Sequence, residues 1–102
     1  MDKLIILAKA FSDFNRLKIV ALIQRESNLC VCEVCDTLKL SQPLVSRHLK
    51  QLVKSDILDS TRKGKWIYYK LSNNDTEFFK CWLESIKQYE SILPATIACD
   101  LK

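Results

Sequence analysis

The chain has 102 residues, 48% of them apolar and 27% charged, which is one domain's worth of globular sequence and argues against a multidomain enzyme. A single glycine and two prolines leave little material for the turns of an all-β fold, and no apolar run reaches the roughly 20 residues that cross a bilayer. The net charge of +4 is uneven: between positions 39 and 70, Lys39, Arg47, Lys50, Lys54, Arg62, Lys63, Lys65 and Lys70 face only Asp56 and Asp59, a basic segment in a mildly acidic frame that suggests a polyanionic partner.

In chain order, Leu4, Ile5, Leu7, Ala8 and Phe11 recur at helical spacing and predict a first amphipathic helix. Met1 leads straight into it, which reads as a cytoplasmic chain rather than one with a secretory leader. Ser12 or Asp13 can cap a second helix, which Ile19, Val20, Leu22 and Ile23 carry to about Gln24. A third, short helix is expected over about residues 31–38, with Ser27 or Asn28 offering oxygens to its free amides and Cys30 at its entrance. Lys39, Leu40 and Ser41 form a tight turn, and Ser41 caps a fourth helix that tolerates Pro43 in its first turn and runs to about Ser55. At 3.6 residues per turn, Val45, Leu49, Leu52 and Val53 make one apolar stripe. Gln42, Ser46, Lys50 and Lys54 recur four apart on another face, with Arg47 beside them.

Beyond Asp56 the pattern becomes strand-like over 58–62 and 65–71, about the dipeptide Lys63-Gly64, where a two-residue hairpin needs a positive φ. A long helix capped by Asp75 then presents Phe78, Phe79, Trp82, Leu83, Ile86, Tyr89 and Leu93, and stops before Pro94. Neither a repeat nor a domain boundary is visible. The expectation is one domain over 1–102, mainly α with a small β-hairpin.

A short helix, a tight turn, a helix with a polar outer face and a basic hairpin in direct succession make a winged helix-turn-helix. An α-helix fits the major groove of double-stranded DNA, where Gln42, Ser46 and Arg47 can exchange hydrogen bonds with base edges while Lys50 and Lys54 meet phosphates. Arg62, Lys63 and Lys65 at the hairpin tip can follow the neighbouring backbone or minor groove. The competing reading is a small helical domain with a solvated polar face, or a winged helix that binds protein instead of DNA. His48, the sole histidine, either touches a phosphate or packs between helices, and its solitude excludes any site that needs two imidazoles. A Ser46–His48 nucleophile pair lacks an orienting group.

Five cysteines, with three crowded at Cys30, Cys32 and Cys35, point to ligands or redox groups rather than a framework of bridges. Three thiolates without histidine suit a trigonal thiophilic centre such as trivalent arsenic or antimony better than a four-ligand zinc site. Cys32 and Cys35 share one side of a helix, whereas Cys30 and Cys32 diverge by about 200° on a regular one. All three can meet one atom only if the chain at Cys30 is non-helical or the first turn unwinds. The positive end of the third helix favours thiolate, and Glu33 and Asp36 oppose it. Burial as small hydrophobes is the competing role for the trio and the stronger one for Cys81, while Cys99 is either a spare ligand or without a role. A thiol enzyme built on the Cys32-x-x-Cys35 pair would need a βαβ setting that the pattern lacks.

These residues resemble the ArsR/SmtB transcriptional repressors, specifically their arsenic-responsive branch. Leu29-Cys30-Val31-Cys32-Glu33-Val34-Cys35 is similar to the metalloid motif of that branch, the run from Ser41 to Leu52 to its recognition helix, Arg62 to Leu71 to its wing, and Asp13, Asn15, Arg16, Leu17 and Ile19 to the opening of its second helix. The resemblance implies a homodimer, and the first and last helices, with more aromatic and aliphatic surface than one small domain can bury, are the expected interface. It further implies binding to an imperfect palindromic operator in the repressor's own promoter, with no cofactor needed, and release when As(III) or Sb(III) binds. Cys30, Cys32 and Cys35 would then be the inducer ligands, and Gln42, Ser46, Arg47 and His48 the DNA-contacting core. Relatives that sense zinc from the last helix use carboxylate and histidine pairs, and this last helix has no histidine. Relatives that sense cadmium or lead add cysteines from an N-terminal arm, and residues 1–29 contain none. Soft-metal sensing and thiol-redox or persulfide sensing on the same fold stand as the alternatives.

Overall fold

A computed structural model describes residues 2–73 and 76–95. The first helix, α1, spans Asp2–Ala10. Asp13, in extended conformation, caps α2 (Phe14–Glu26), its carboxylate accepting the Asn15 and Arg16 N–H groups at 2.8 and 3.1 Å. Ser27 closes that helix with φ 76°, its N–H donating to the Ile23 carbonyl at 2.7 Å. Neither Ser27 nor Asn28 caps the next helix, contrary to expectation. The cap is Cys30 (φ −94°, ψ 167°), whose N–H donates to the Glu33 carboxylate at 3.1 Å, one half of a capping box. Leu29–Cys30 also forms β1, a strand that the sequence did not announce because two residues are too short to show alternation.

Helix α3 covers Val31–Leu38, as the spacing predicts, and ends on Lys39 in the left-handed region (φ 58°, ψ 47°). Ser41 then caps α4 (Gln42–Lys54) by accepting the Leu44 N–H at 3.4 Å. Strands β2 (Leu58–Lys63) and β3 (Trp66–Leu71) pair antiparallel, and β1 adds to β3, giving the order β1-β3-β2. Lys63 pairs with Trp66, so the hairpin loop is Gly64-Lys65, one residue later than predicted. Gly64, at φ 64°, takes the first loop position, where a type II′ turn places glycine.

Thr76 caps α5 (Glu77–Ile86), its Oγ1 accepting the Phe79 N–H at 3.4 Å. The predicted cap, Asp75, lies outside the described residues. The expected long helix gives way at Ile86 to a 3-10 turn over Lys87–Ile92. Arg25 holds this tightened segment: its guanidinium donates to the carbonyls of Glu90 (2.9 Å), Leu93 (3.2 Å) and Pro94 (2.6 Å).

The inner residues of the predicted stripes form one core. Ile19, Val20, Leu22 and Ile23 of α2 meet Val34 of α3, Val45, Leu49 and Leu52 of α4, and Phe79 and Ile86 of α5, all buried. Each such side chain contributes about 1.5–3 kcal/mol by leaving water. Phe11 stacks on Trp82 with centroids 4.8 Å apart and planes 6° off parallel, fastening the end of α1 to α5. The architecture is a winged helix-turn-helix: α3, the turn at 39–41, α4 and the β2–β3 wing, backed by α1, α2 and α5.

Candidate nucleic-acid interface and thiol cavity

Burial of Val45, Leu49 and Leu52 turns the opposite side of α4 outward, leaving Gln42, Ser46, Arg47, Lys50 and Lys54 exposed. Arg62, Lys63 and Lys65 are exposed at the wing tip, where the Lys63 Nζ lies 5.7 Å from the centre of the Tyr68 ring. An open cleft lined by Ser46, Lys50, Lys54, Ser60 and Tyr69 joins helix and wing into one cationic face. Such a face can take phosphates along its rim and base edges at its centre.

His48 departs from this surface. It is buried, with its Nδ1 3.3 Å from Arg16 Nη1 and its Nε2 3.9 Å from Asp13 Oδ1. Burial pushes its pKa below the ordinary 6.5; Asp13 pulls it back up, while Arg16 and Arg47 push it further down. A neutral ring can accept from Arg16, whose Nε and Nη2 also donate to the carbonyls of Ala10 (2.7 Å) and Lys9 (3.2 Å). Of the two roles open to His48 in the sequence, this placement offers packing between helices rather than a phosphate contact.

The thiols occupy distinct surroundings. Cys30 is 1% exposed and extended, meeting the non-helical condition that the spacing of the trio imposed. Cys32 and Cys35 are half-buried on α3. Cys30, Cys35 and Cys81 carry free thiols, Cys32 stands in a disulfide, and Cys99 lies outside the described residues. Burial raises the Cys35 pKa, and the charges of Asp36 and Cys30 add to the rise, so the helix terminus does not make this thiol acidic. Cys30 and Cys32 open on one cavity of about 290 Å³ whose facing walls are Gln42 of α4 and Lys65 and Trp66 of the wing, and Cys35 is not in its lining. Among the described residues, no three histidine, cysteine or acidic side chains come together to hold a metal ion.

Spacing pointed to three cysteines, of which the structure places Cys30 and Cys32 on one cavity, and to the cations that stand exposed on α4 and the wing. It missed the shared cavity and the Asp13–Arg16–His48 joint, because both depend on residues more than 30 positions apart meeting through the fold.

Residues 13–60 match the family described as bacterial regulatory protein, arsR family. The chain belongs to the arsR family. Within it, the chain is 42% identical over 81 residues to the arsenic resistance transcriptional regulator ArsR1 of Pseudomonas putida, covering 79% of this chain and 63% of that protein. It is 46% identical over 66 residues to the arsenical resistance operon repressor of Escherichia coli, covering 65% of this chain and 56% of that repressor. The chain thus spans about three fifths of the length of these curated relatives. Among solved structures, HlyU from Vibrio cholerae superposes with a TM-score of 0.74 at 26% identity over 88% of this chain and 94% of its own.

Proposed function

We propose that this arsR-family protein is a metalloid-responsive transcriptional repressor that binds an imperfect palindromic operator as a homodimer and is released when As(III) or Sb(III) binds through Cys30, Cys32 and Cys35. The observation that carries the reading is adjacency: the first turn of the thiol-bearing helix α3 shares a cavity with Gln42 of the reading helix and Lys65 of the wing. Gln42, Ser46 and Arg47 read bases, and Lys50, Arg62, Lys63 and Lys65 hold phosphates, while His48 acts by fixing α4 to α2.

Dimerisation through α1 and α5 is supported by Leu4, Ile5 and Ile6, all exposed on α1. Two-fold symmetry then sets two reading helices about one DNA turn, roughly 34 Å, apart. The inducer acts by differential affinity: it binds the DNA-free shape more tightly than the DNA-bound shape, and DNA weakens its binding by the same factor. The protein needs no cofactor for DNA binding, catalyses no reaction, and works in the cytoplasm, where a reducing pool keeps Cys32 a thiol.

Fluorescence anisotropy of a labelled duplex from upstream of the gene, with phosphine-reduced protein, tests this reading. Arsenite is expected to release the duplex at least tenfold more readily from the parent than from Cys32→Ser. Release that survives Cys32→Ser overturns the thiol site, and binding that is indifferent to salt overturns the DNA partner.

The Cys32 disulfide favours a second reading, a thiol-redox sensor on the same fold. It predicts that mild oxidation alone abolishes DNA binding and that reduction restores it, with arsenite having no effect on the reduced protein.

A further inference from the structure

A second cavity shares no residue with the thiol cleft. It measures about 330 Å³ and lies between α2, the last residue of α3 and the 3-10 segment, walled by Phe14, Leu17, Leu38, Tyr89 and Ile92, with Lys18 as its one charged residue. About 150 Å³ of dry apolar space already accepts benzene, so this cavity has room for a two-ring body, as small-ligand sites commonly do. The fold leaves two of its walls largely uncovered: Phe14 is 67% and Ile92 73% exposed. The C-terminal wall is nonetheless held in place, because Arg25 fixes the carbonyls of Glu90, Leu93 and Pro94. The Lys18 Nζ stands 5.0 Å from the centre of the Phe14 ring, and among the described residues it makes no ion pair. The rings of Phe14 and Tyr89 favour a flat aromatic partner, and one ammonium matches one negative charge, a carboxylate rather than a dianionic phosphate.

We propose that this cavity is a second effector site, which takes a small aromatic carboxylate, its rings between Phe14, Tyr89 and Ile92 and its charge on Lys18. The site needs no thiol, and only its effect on DNA rests on the function proposed above. That effect has a route. Leu38, in the wall, directly precedes Lys39, whose left-handed backbone turns the chain from α3 toward the reading helix α4. A ligand packed against Leu38 therefore bears on the setting of α4 without touching the cysteines or the outward side chains of that helix. Differential affinity sets the size of the effect: ligand and duplex change each other's binding by one common factor.

The test uses the whole chain, reduced with phosphine, and 2-naphthoate as the probe. Calorimetry is expected to show one naphthoate per chain. Binding should weaken at least tenfold in Ile92→Asp, which sets a carboxylate on an exposed wall position, and at least fivefold in Lys18→Met, while Lys18→Arg stays within threefold of the parent. The uncharged analogue 2-naphthalenemethanol should bind the parent at least fivefold more weakly than naphthoate does and should not distinguish the parent from Lys18→Met. A parent that takes no naphthoate overturns the site, as does naphthoate binding that ignores either Lys18→Met or Ile92→Asp. Decanoate binding more tightly than naphthoate overturns the aromatic assignment. Binding that vanishes as the chain dimerises on concentration also overturns the site, because the face would then belong to a second copy. In anisotropy, saturating naphthoate should change the duplex affinity of the parent at least threefold and leave that of Ile92→Asp unchanged. A duplex affinity that naphthoate does not move overturns the effector role and leaves the DNA reading standing. A parent that takes naphthoate but no duplex overturns the DNA reading and the effector role together, the carboxylate site standing on the calorimetry.

Discussion

The two flanks of α4 are built on different principles. Toward α2, buried His48 meets Arg16 at 3.3 Å and Asp13 at 3.9 Å, and Arg16 also grips the last carbonyls of α1, so that one guanidinium ties three helices together. Toward the wing, Gln42 and Lys65 border a cavity with two cysteines instead of a packed contact. Under the proposed function, this contrast locates where a switch can act. The hydrogen-bonded flank sets the position of the reading helix against the body of the protein, and the open flank leaves its relation to the wing adjustable by whatever fills the gap.

The largest effects are expected on the packed side. Leu49→Ala removes a fully buried side chain of α4 and should cost about 2–5 kcal/mol in chemical denaturation. A loss under 1 kcal/mol would mean that α4 is not anchored as described. Arg16→Ala removes charge-assisted bonds to two carbonyls and to His48, with an expected cost of about 1.5–3 kcal/mol and weaker DNA binding, because α4 loses its register against α1. On the open flank, Gln42→Ala should leave stability within about 0.5 kcal/mol of the parent. It should still cost about 1–3 kcal/mol of operator affinity by anisotropy. Lys63→Ala isolates the wing tip: affinity should fall about equally on all sequences, and the slope of log K against log salt should drop by about 1.

The smallest effect is a pH dependence. Burial, together with Arg16 and Arg47, holds the pKa of folded His48 below 6.5 against the pull of Asp13, so the unfolded chain binds the proton first. The stability that His48 contributes is therefore full above pH 6.5 and is lost as pH falls from 6.5 toward the lower folded pKa. His48→Gln should flatten that part of the stability profile, and an unchanged profile would place the titration elsewhere.

Local chemistry made much of the helical frame legible. Ser41 as a cap, the Val45, Leu49 and Leu52 stripe and the span of α3 all follow from side chains within a turn or two of each other. Features that depend on distant partners were not legible. The break in the last helix coincides with a grip by Arg25 on carbonyls 65 or more positions away, and His48 turns inward toward a residue 32 positions earlier. The hairpin slipped by one residue because a glycine satisfies either central position of the primed turns, so that composition could not distinguish Lys63-Gly64 from Gly64-Lys65. The same limit applied to the site: cysteine spacing named three sulfurs, and only the fold set two of them opposite Trp66.

Lys39 makes the bend between α3 and α4 with φ 58°, a conformation that disfavours an L side chain by about 1–2 kcal/mol. A glycine would relax there and let the joint swivel. With lysine the elbow has few other shapes to adopt, so a small rotation of the sulfur-bearing helix is passed on as leverage instead of being absorbed at the bend. Lys39→Gly is thus a way to uncouple the proposed switch while leaving both its input and its output intact.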